Sequence, residues 1–168
     1  IYCYVLCEGK PMVDDNVRRK GYLTLGSRMK RIGELLQAEA QQLMVIHGVP
    51  IQANQYPLLA SLDENGPLTI GELAETLGVS QPGITRSAGL LAKQGLVSLR
   101  QGKEDQRKRI VTLTSQGRRI IEDGRKNIWP QIERCLADIM AGQSGPLLSQ
   151  LDFLEDAIRG MSFTQRIQ

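Results

Sequence analysis

The sequence predicts a mainly α-helical fold with a small β-wing, in which a winged helix-turn-helix unit is framed by long terminal helices. Three observations predict it. Two short helices with their own start and stop signals follow one another directly over residues 69–93, the hydrophobic period switches from helical to alternating after Gly95, and long amphipathic stretches lie on both sides.

The first short helix opens at Thr69, whose hydroxyl suits the N-cap, with Glu72 placed to reach back to the Thr69 N–H. Leu73, Ala74 and Leu77 supply its apolar stripe, and Gly78 stands where a left-handed residue ends a helix. Ser80 caps the next helix, over about 81–93, and Pro82 falls in a first turn that has no internal acceptors to lose. Ile84, Ala88, Leu91 and Ala92 share its inner face. Gln81, Gly83, Thr85, Arg86 and Ser87 are left at the outer, N-terminal side, where small and polar residues suit an approach to base edges.

Residues 96–101 alternate as a strand, 102–107 form a charged tip, and 108–113 return as a second strand. Lys103, Arg107, Lys108 and Arg109 lie in or beside the tip, against Glu104 and Asp105. Such a tip suits a phosphate backbone, and an arginine on it suits a narrow minor groove. Thr114 then caps a long helix over about 115–141, in which Pro130 predicts a bend. Leu25, Met29, Ile32, Leu36, Leu43 and Met44 give another long helix over about 22–47, closed by Gly48 and Pro50. A helix over about 54–65 packs Leu58, Leu59 and Leu62. A last one, started by Ser144 and Pro146, carries Leu147, Leu151, Leu154 and Ile158.

The chain has 168 residues, enough for one sizeable core, and with 41% hydrophobic but only 4% aromatic residues that core is aliphatic. The net charge of +3 favours an anionic partner only weakly. Distribution says more: basic residues dominate 100–126, whereas 137–157 carries Asp138, Asp152, Glu155 and Asp156 without lysine or arginine. No apolar run approaches the roughly 20 residues of a membrane span, which predicts a cytoplasmic protein without a membrane partner. There is no Gly-rich phosphate loop, no nucleophile elbow and no metal cluster, so no enzyme, metal or cofactor is expected. The paired carboxylates Asp14 and Asp15, and Glu122 and Asp123, read as solvated surface.

At LTIGELAETLGVSQPGITR, at the GLV of 95–97 and at DQRKRIVTLTSQGR over 105–118, the chain resembles the MarR family of bacterial transcription regulators. The D-x-R-x-R wing followed by LT and Gly117 is the most specific part, and the likeness extends over about 25–158. By position, Thr69, Ser80, Gln81, Gly83, Thr85, Arg86 and Lys103 fall on the DNA-binding surface that the resemblance implies. Arg107 resembles the family's minor-groove wing arginine, braced by Asp105 and Arg109. Gly83 departs from the bulkier polar residue often found there.

The resemblance further implies a homodimer, because the outer helices hold more apolar surface than one winged unit covers. The domain so defined spans 20–160, with the winged unit at 53–114 and dimerisation helices at 20–48, 115–141 and 145–159. Such a dimer reads double-stranded DNA as an inverted repeat with half-sites roughly 34 Å apart. The family's ligand cleft lies where the first, second and fifth helices meet the winged unit and takes small phenolic or aromatic ligands, which makes Tyr22, Arg28, Tyr56 and Arg118 candidate ligand residues.

Two other readings remain open from the residues. Cys3, Cys7 and Cys135, with Tyr2, Tyr4 and Tyr22, allow a thiol redox switch, although Cys3 and Cys7 precede the first long helix. The winged unit also allows ligand-independent, architectural or protein-interaction use. Met12 followed by VDDNVRRKGY resembles an ordinary start, so residues 1–11 read as an N-terminal extension with no assigned function.

Overall fold

A computed structural model describes residues 16–102 and 108–140, together with Gly145. The expected wing tip at 103–107, the last helix at 145–159 apart from Gly145, and Cys3 and Cys7 lie outside the described residues. The chain forms two compact units that divide between Pro57 and Leu58.

In the first unit a helical turn, α1 (Asn16–Arg19), and a 3₁₀ turn (Gly21–Thr24) lead into α2 (Leu25–Ile46). The Thr24 hydroxyl donates to the Val17 carbonyl at 2.6 Å and ties these turns together. Helix α2 stops where the sequence says it should. Gly48 takes φ +68°, and the Val49 N–H returns to the Met44 carbonyl at 2.9 Å, so the last carbonyls keep partners. Gln41 holds the segment that follows, accepting the Ala53 N–H at 2.7 Å and donating to the Ile51 carbonyl at 3.3 Å. Met44, Val49, Ile51 and Tyr56 are buried, whereas Ile32, Leu35, Leu36, Val45 and Ile46 are exposed.

Helix α3 (Tyr56–Asn65) carries Pro57 in its first turn, as expected, and from Leu58 onward it belongs to the second unit. There follow β1 (Leu68–Thr69), α4 (Ile70–Leu77), α5 (Gln81–Lys93), β2 (Val97–Gln101) and β3 (Arg109–Leu113). The sheet is antiparallel in the order β1-β3-β2. Val97 pairs with Leu113 and Gln101 with Arg109, while Leu68 pairs with Val111 and Thr69 with Ile110. Strand β1 is absent from the periodicity argument because two residues carry no period. Leu58, Leu59, Leu62, Leu73, Ile84, Ala88, Leu91, Leu96, Val97, Val111, Ile121 and Ile128 make the aliphatic core.

The helix after the wing is α6 (Ser115–Asp123), a π-helical turn (Gly124–Ile128) and α7 (Trp129–Met140) in unbroken succession. The expected irregularity at Pro130 is thus a widened turn just before it, in which the Trp129 N–H reaches the Gly124 carbonyl. The cause is local: a proline at this place has no N–H for the carbonyl four residues back, and its ring crowds that carbonyl. Nearby, Asp63 of α3 receives Arg118 at 3.1 Å and Arg125 at 2.9 Å, and the Arg125 guanidinium also lies 5.7 Å from the Trp129 ring centroid.

Candidate nucleic-acid interface

The helix-turn-helix is built from caps that the sequence announces. Thr69, extended at ψ 162°, receives the Glu72 N–H on its hydroxyl at 3.2 Å, while the Glu72 carboxylate accepts the Thr69 N–H at 2.7 Å and its hydroxyl at 2.8 Å. The Thr69 backbone N–H above all, then its hydroxyl and the charge of Lys108, hold the Glu72 carboxyl below the ordinary glutamate range against some desolvation. Because Thr69 also belongs to β1, this box fixes α4 to the returning strand of the wing.

Gly78, at φ +64°, closes α4 with the Val79 N–H on the Ala74 carbonyl at 3.0 Å. Ser80 then caps α5, its hydroxyl accepting the Gly83 N–H at 3.4 Å. A Cβ on Gly83 would stand 3.3 Å from that hydroxyl oxygen, tighter than ordinary contact, so glycine leaves the cap room. The Thr85 hydroxyl donates back to the Gln81 carbonyl at 2.9 Å. Ile84, Ala88 and Leu91 are buried, while Ser80, Gln81, Pro82, Gly83, Thr85 and Arg86 are exposed. The first turns of α5 therefore present a polar, cationic face held rigid from behind by an apolar one.

Beside this face stands the wing. The Gly102 N–H donates to the Lys108 carbonyl at 2.9 Å and closes the ladder at its open end, where Arg100, Gln101, Lys108 and Arg109 are exposed. Two cationic elements of one unit, a helix start and a hairpin, suit groove and phosphate contacts respectively.

A sequence profile of the MarR family matches residues 47–108, which span this whole arrangement from before α3 to the root of β3. Residues 47–108 thus form a MarR-family domain, and the fold is that of winged-helix transcription regulators. Among its relatives is the HTH-type transcriptional regulator FarR of Neisseria gonorrhoeae, 29% identical over 131 residues that cover 74% of this chain and 90% of FarR. A mutant of MarR from E. coli, solved with operator DNA, shares the fold with a TM-score of 0.67 at 21% identity, over 80% of this chain and 92% of that one. BpsR of Bordetella bronchiseptica, whose DNA binding is regulated by 6-hydroxynicotinic acid, shares it with a TM-score of 0.63 at 20% identity, over 80% and 98%.

The expected DNA-facing residues Thr69, Ser80, Gln81, Gly83, Thr85 and Arg86 come together at the start of the two short helices. Arg109 begins β3, and Lys103, Asp105 and Arg107 lie outside the described residues. The expected ligand residues are distributed over both units. In the first, Tyr22 is 94% exposed on its 3₁₀ turn, Arg28 is exposed on α2 and Tyr56 is buried at 8%. In the second, Arg118 is engaged by Asp63. Among the described residues no group of three or more His, Cys, Asp or Glu side chains is arranged for a metal ion, and no helix is long and apolar enough to cross a membrane.

Sequence reasoning missed Asp63 and the pairing of β1. A lone aspartate at the end of a leucine-rich helix carries no motif, and its partners lie 55 and 62 residues away.

Proposed function

We propose that the regulator works as a homodimeric repressor in the cytoplasm, reading an inverted-repeat operator with α5 and the wing and released or tuned by a small aromatic or phenolic ligand. The observation that carries this reading is the start of α5, where Gln81, Thr85 and Arg86 are exposed over a buried Ile84, Ala88 and Leu91. Gln81 and Arg86 have the donors and acceptors that read base edges or hold phosphates. Arg107 supplies the minor-groove contact from the wing, with Lys103 on the flanking phosphates and Asp105 and Arg109 as braces.

Dimerisation is supported by the exposed Ile32, Leu35, Leu36, Val45 and Ile46 of α2, more apolar surface than one helix leaves in water without a partner. Two copies related by a two-fold axis present two α5 helices to successive turns of the duplex. Ligand control is supported by the regulation of BpsR by 6-hydroxynicotinic acid, and Tyr22, Arg28, Tyr56 and Arg118 are the residues proposed to meet such an anion. A ligand acts only by binding one spacing of the two winged units better than another.

The test is a selection of duplexes from a randomised pool, followed by gel shifts on the selected DNA with and without salicylate and 6-hydroxynicotinic acid. Recovery of a two-fold sequence that Arg86→Ala no longer binds supports the reading. Selection of a single half-site, or of no sequence at all, overturns it. Indifference of the complex to both acids removes them as ligands of this regulator.

A further inference from the structure

The hydroxyl of Thr114 joins two helices. As N-cap of α6 it accepts the Gly117 N–H at 3.1 Å. It also donates toward the Gly95 carbonyl at 2.8 Å and the Leu96 carbonyl at 3.0 Å, sharing one proton between them. The Thr114 N–H adds a further bond to Leu96, again at 3.0 Å. Gly95 and Leu96 are the turn that ends α5. Gly95 takes φ +74° and donates to the Ala92 carbonyl, and Leu96 donates to the Leu91 carbonyl, each at 3.0 Å. One residue therefore bonds the end of α5 to the start of α6.

Gly117 lets the two backbones approach. A Cβ there would overlap the Leu96 carbonyl oxygen and come within 2.7 Å of Leu113 Cδ1. The joint is close-packed as well as hydrogen-bonded, and a cap alone does not need its second pair of partners.

We propose that Thr114 is a positioning residue for DNA recognition, which sets the angle of α5 through the bonds it donates to Gly95 and Leu96. The proposal rests on α5 being the recognition helix. Its lever is long: α5 has 13 residues, and at about 1.5 Å each its far end lies roughly 20 Å from the joint. A tilt of about 5° there shifts the backbone at Gln81 by roughly 1.7 Å and at Arg86, five residues nearer the joint, by roughly 1.1 Å, enough to break a base-edge hydrogen bond yet not the looser attraction to phosphates.

Two substitutions separate the joint from the cap. Thr114→Asp keeps an N-cap acceptor for the Gly117 N–H but has no proton to donate to Gly95 or Leu96, whereas Thr114→Ser keeps both functions. Each is measured by fluorescence anisotropy on a duplex selected by the wild-type protein from a randomised pool, and on a scrambled duplex of the same composition. Thr114→Asp is expected to lose at least tenfold in the ratio of the two affinities, with scrambled-duplex binding and helix content unchanged, and Thr114→Ser to keep the wild-type ratio. Thr114→Val, which removes acceptor and donor together, is the second variant and is expected to lose the ratio likewise.

A wild-type ratio in folded Thr114→Asp overturns the proposal, as does an equal loss on both duplexes, which marks a merely structural role. If Thr114→Asp and Thr114→Val both fail to fold, the joint serves stability and the proposal is likewise overturned. Gln81→Ala and Arg86→Ala run in parallel. If they lose discrimination and Thr114→Asp does not, only the positioning role fails. If both keep it, α5 is not the reader and the positioning role fails with that assignment.

Discussion

Gly117 has no freedom to become anything larger, because the space a Cβ would need is held by the Leu96 carbonyl and by Leu113. Leu113 belongs to β3, and Leu96 to the turn that Thr114 bonds, so neither yields cheaply. Gly117→Ala is expected to destabilise the second unit by about 2 kcal/mol or more, at the upper end of overpacking costs, despite the better helix propensity of alanine. A urea melt followed by circular dichroism reads this directly, and a midpoint within error of wild type contradicts the close approach.

Glu72 illustrates a pH-dependent contribution. Its carboxyl is held below the ordinary range by the Thr69 N–H first, then by the Thr69 hydroxyl and Lys108. A group whose folded-state pKa is depressed stabilises the fold above its unfolded value and ceases to do so as pH falls through the folded one. Glu72→Gln, which keeps the acceptor and removes the charge, should therefore melt below wild type at pH 7, and the gap should close below about pH 4. A gap independent of pH assigns the effect to shape. The capping role of Glu72 was legible in T-x-x-E, whereas the charge of Lys108 beside it was not, because it arrives through the pairing of β1 with β3.

Among the elements, those whose signals are local are legible in the sequence. The caps of α4 and α5, the glycine stop of α4, the end of α2 at Gly48 and the alternation of β2 and β3 all follow from neighbours in sequence. Strand β1 and the π-turn do not. The first exists because β3 offers it a ladder. The second exists because Pro130 removes a bond from a helix that packing on Ile121 and Ile128 keeps continuous. Helix α2 had the clearest stripe and the least complete burial, with Leu35 at 61% and Leu36 at 45% exposed. A stripe predicts that a face will be covered, not by which chain. Leu36→Glu is thus expected to leave the helix content unchanged and to shift sedimentation from dimer to monomer. A two-fold interface loses the side chain twice, each worth about 1.5–3 kcal/mol when fully buried. A dimer of unchanged affinity would exclude this face of α2 from the contact.

At the scale of the molecule, the net charge of +3 hardly distinguishes the chain from an ordinary soluble surface, and it is the local excess on the second unit that matters. Arg86 on α5 and Arg100, Lys108 and Arg109 on the wing are exposed at the elements proposed to face DNA. If these cations and the wing tip neutralise phosphates in both copies of a dimer, about 6–10 counterions leave on binding. The affinity should then fall by roughly 10³- to 10⁵-fold between 50 and 200 mM salt. Arg86 makes a sharper case because it has two possible roles. As a phosphate contact, its replacement in Arg86→Ala lowers the slope of log affinity against log salt by about 1 per copy, thus about 2 per dimer, and weakens selected and scrambled duplexes alike. As a base contact it leaves the slope nearly intact and costs about 1–3 kcal/mol per copy on the selected duplex only. Its place on the second turn of α5, beyond Gly83, is compatible with an edge-on approach to the bases. We therefore expect the second pattern, and a slope reduced by 2 with equal loss on both duplexes would reassign Arg86 to the backbone.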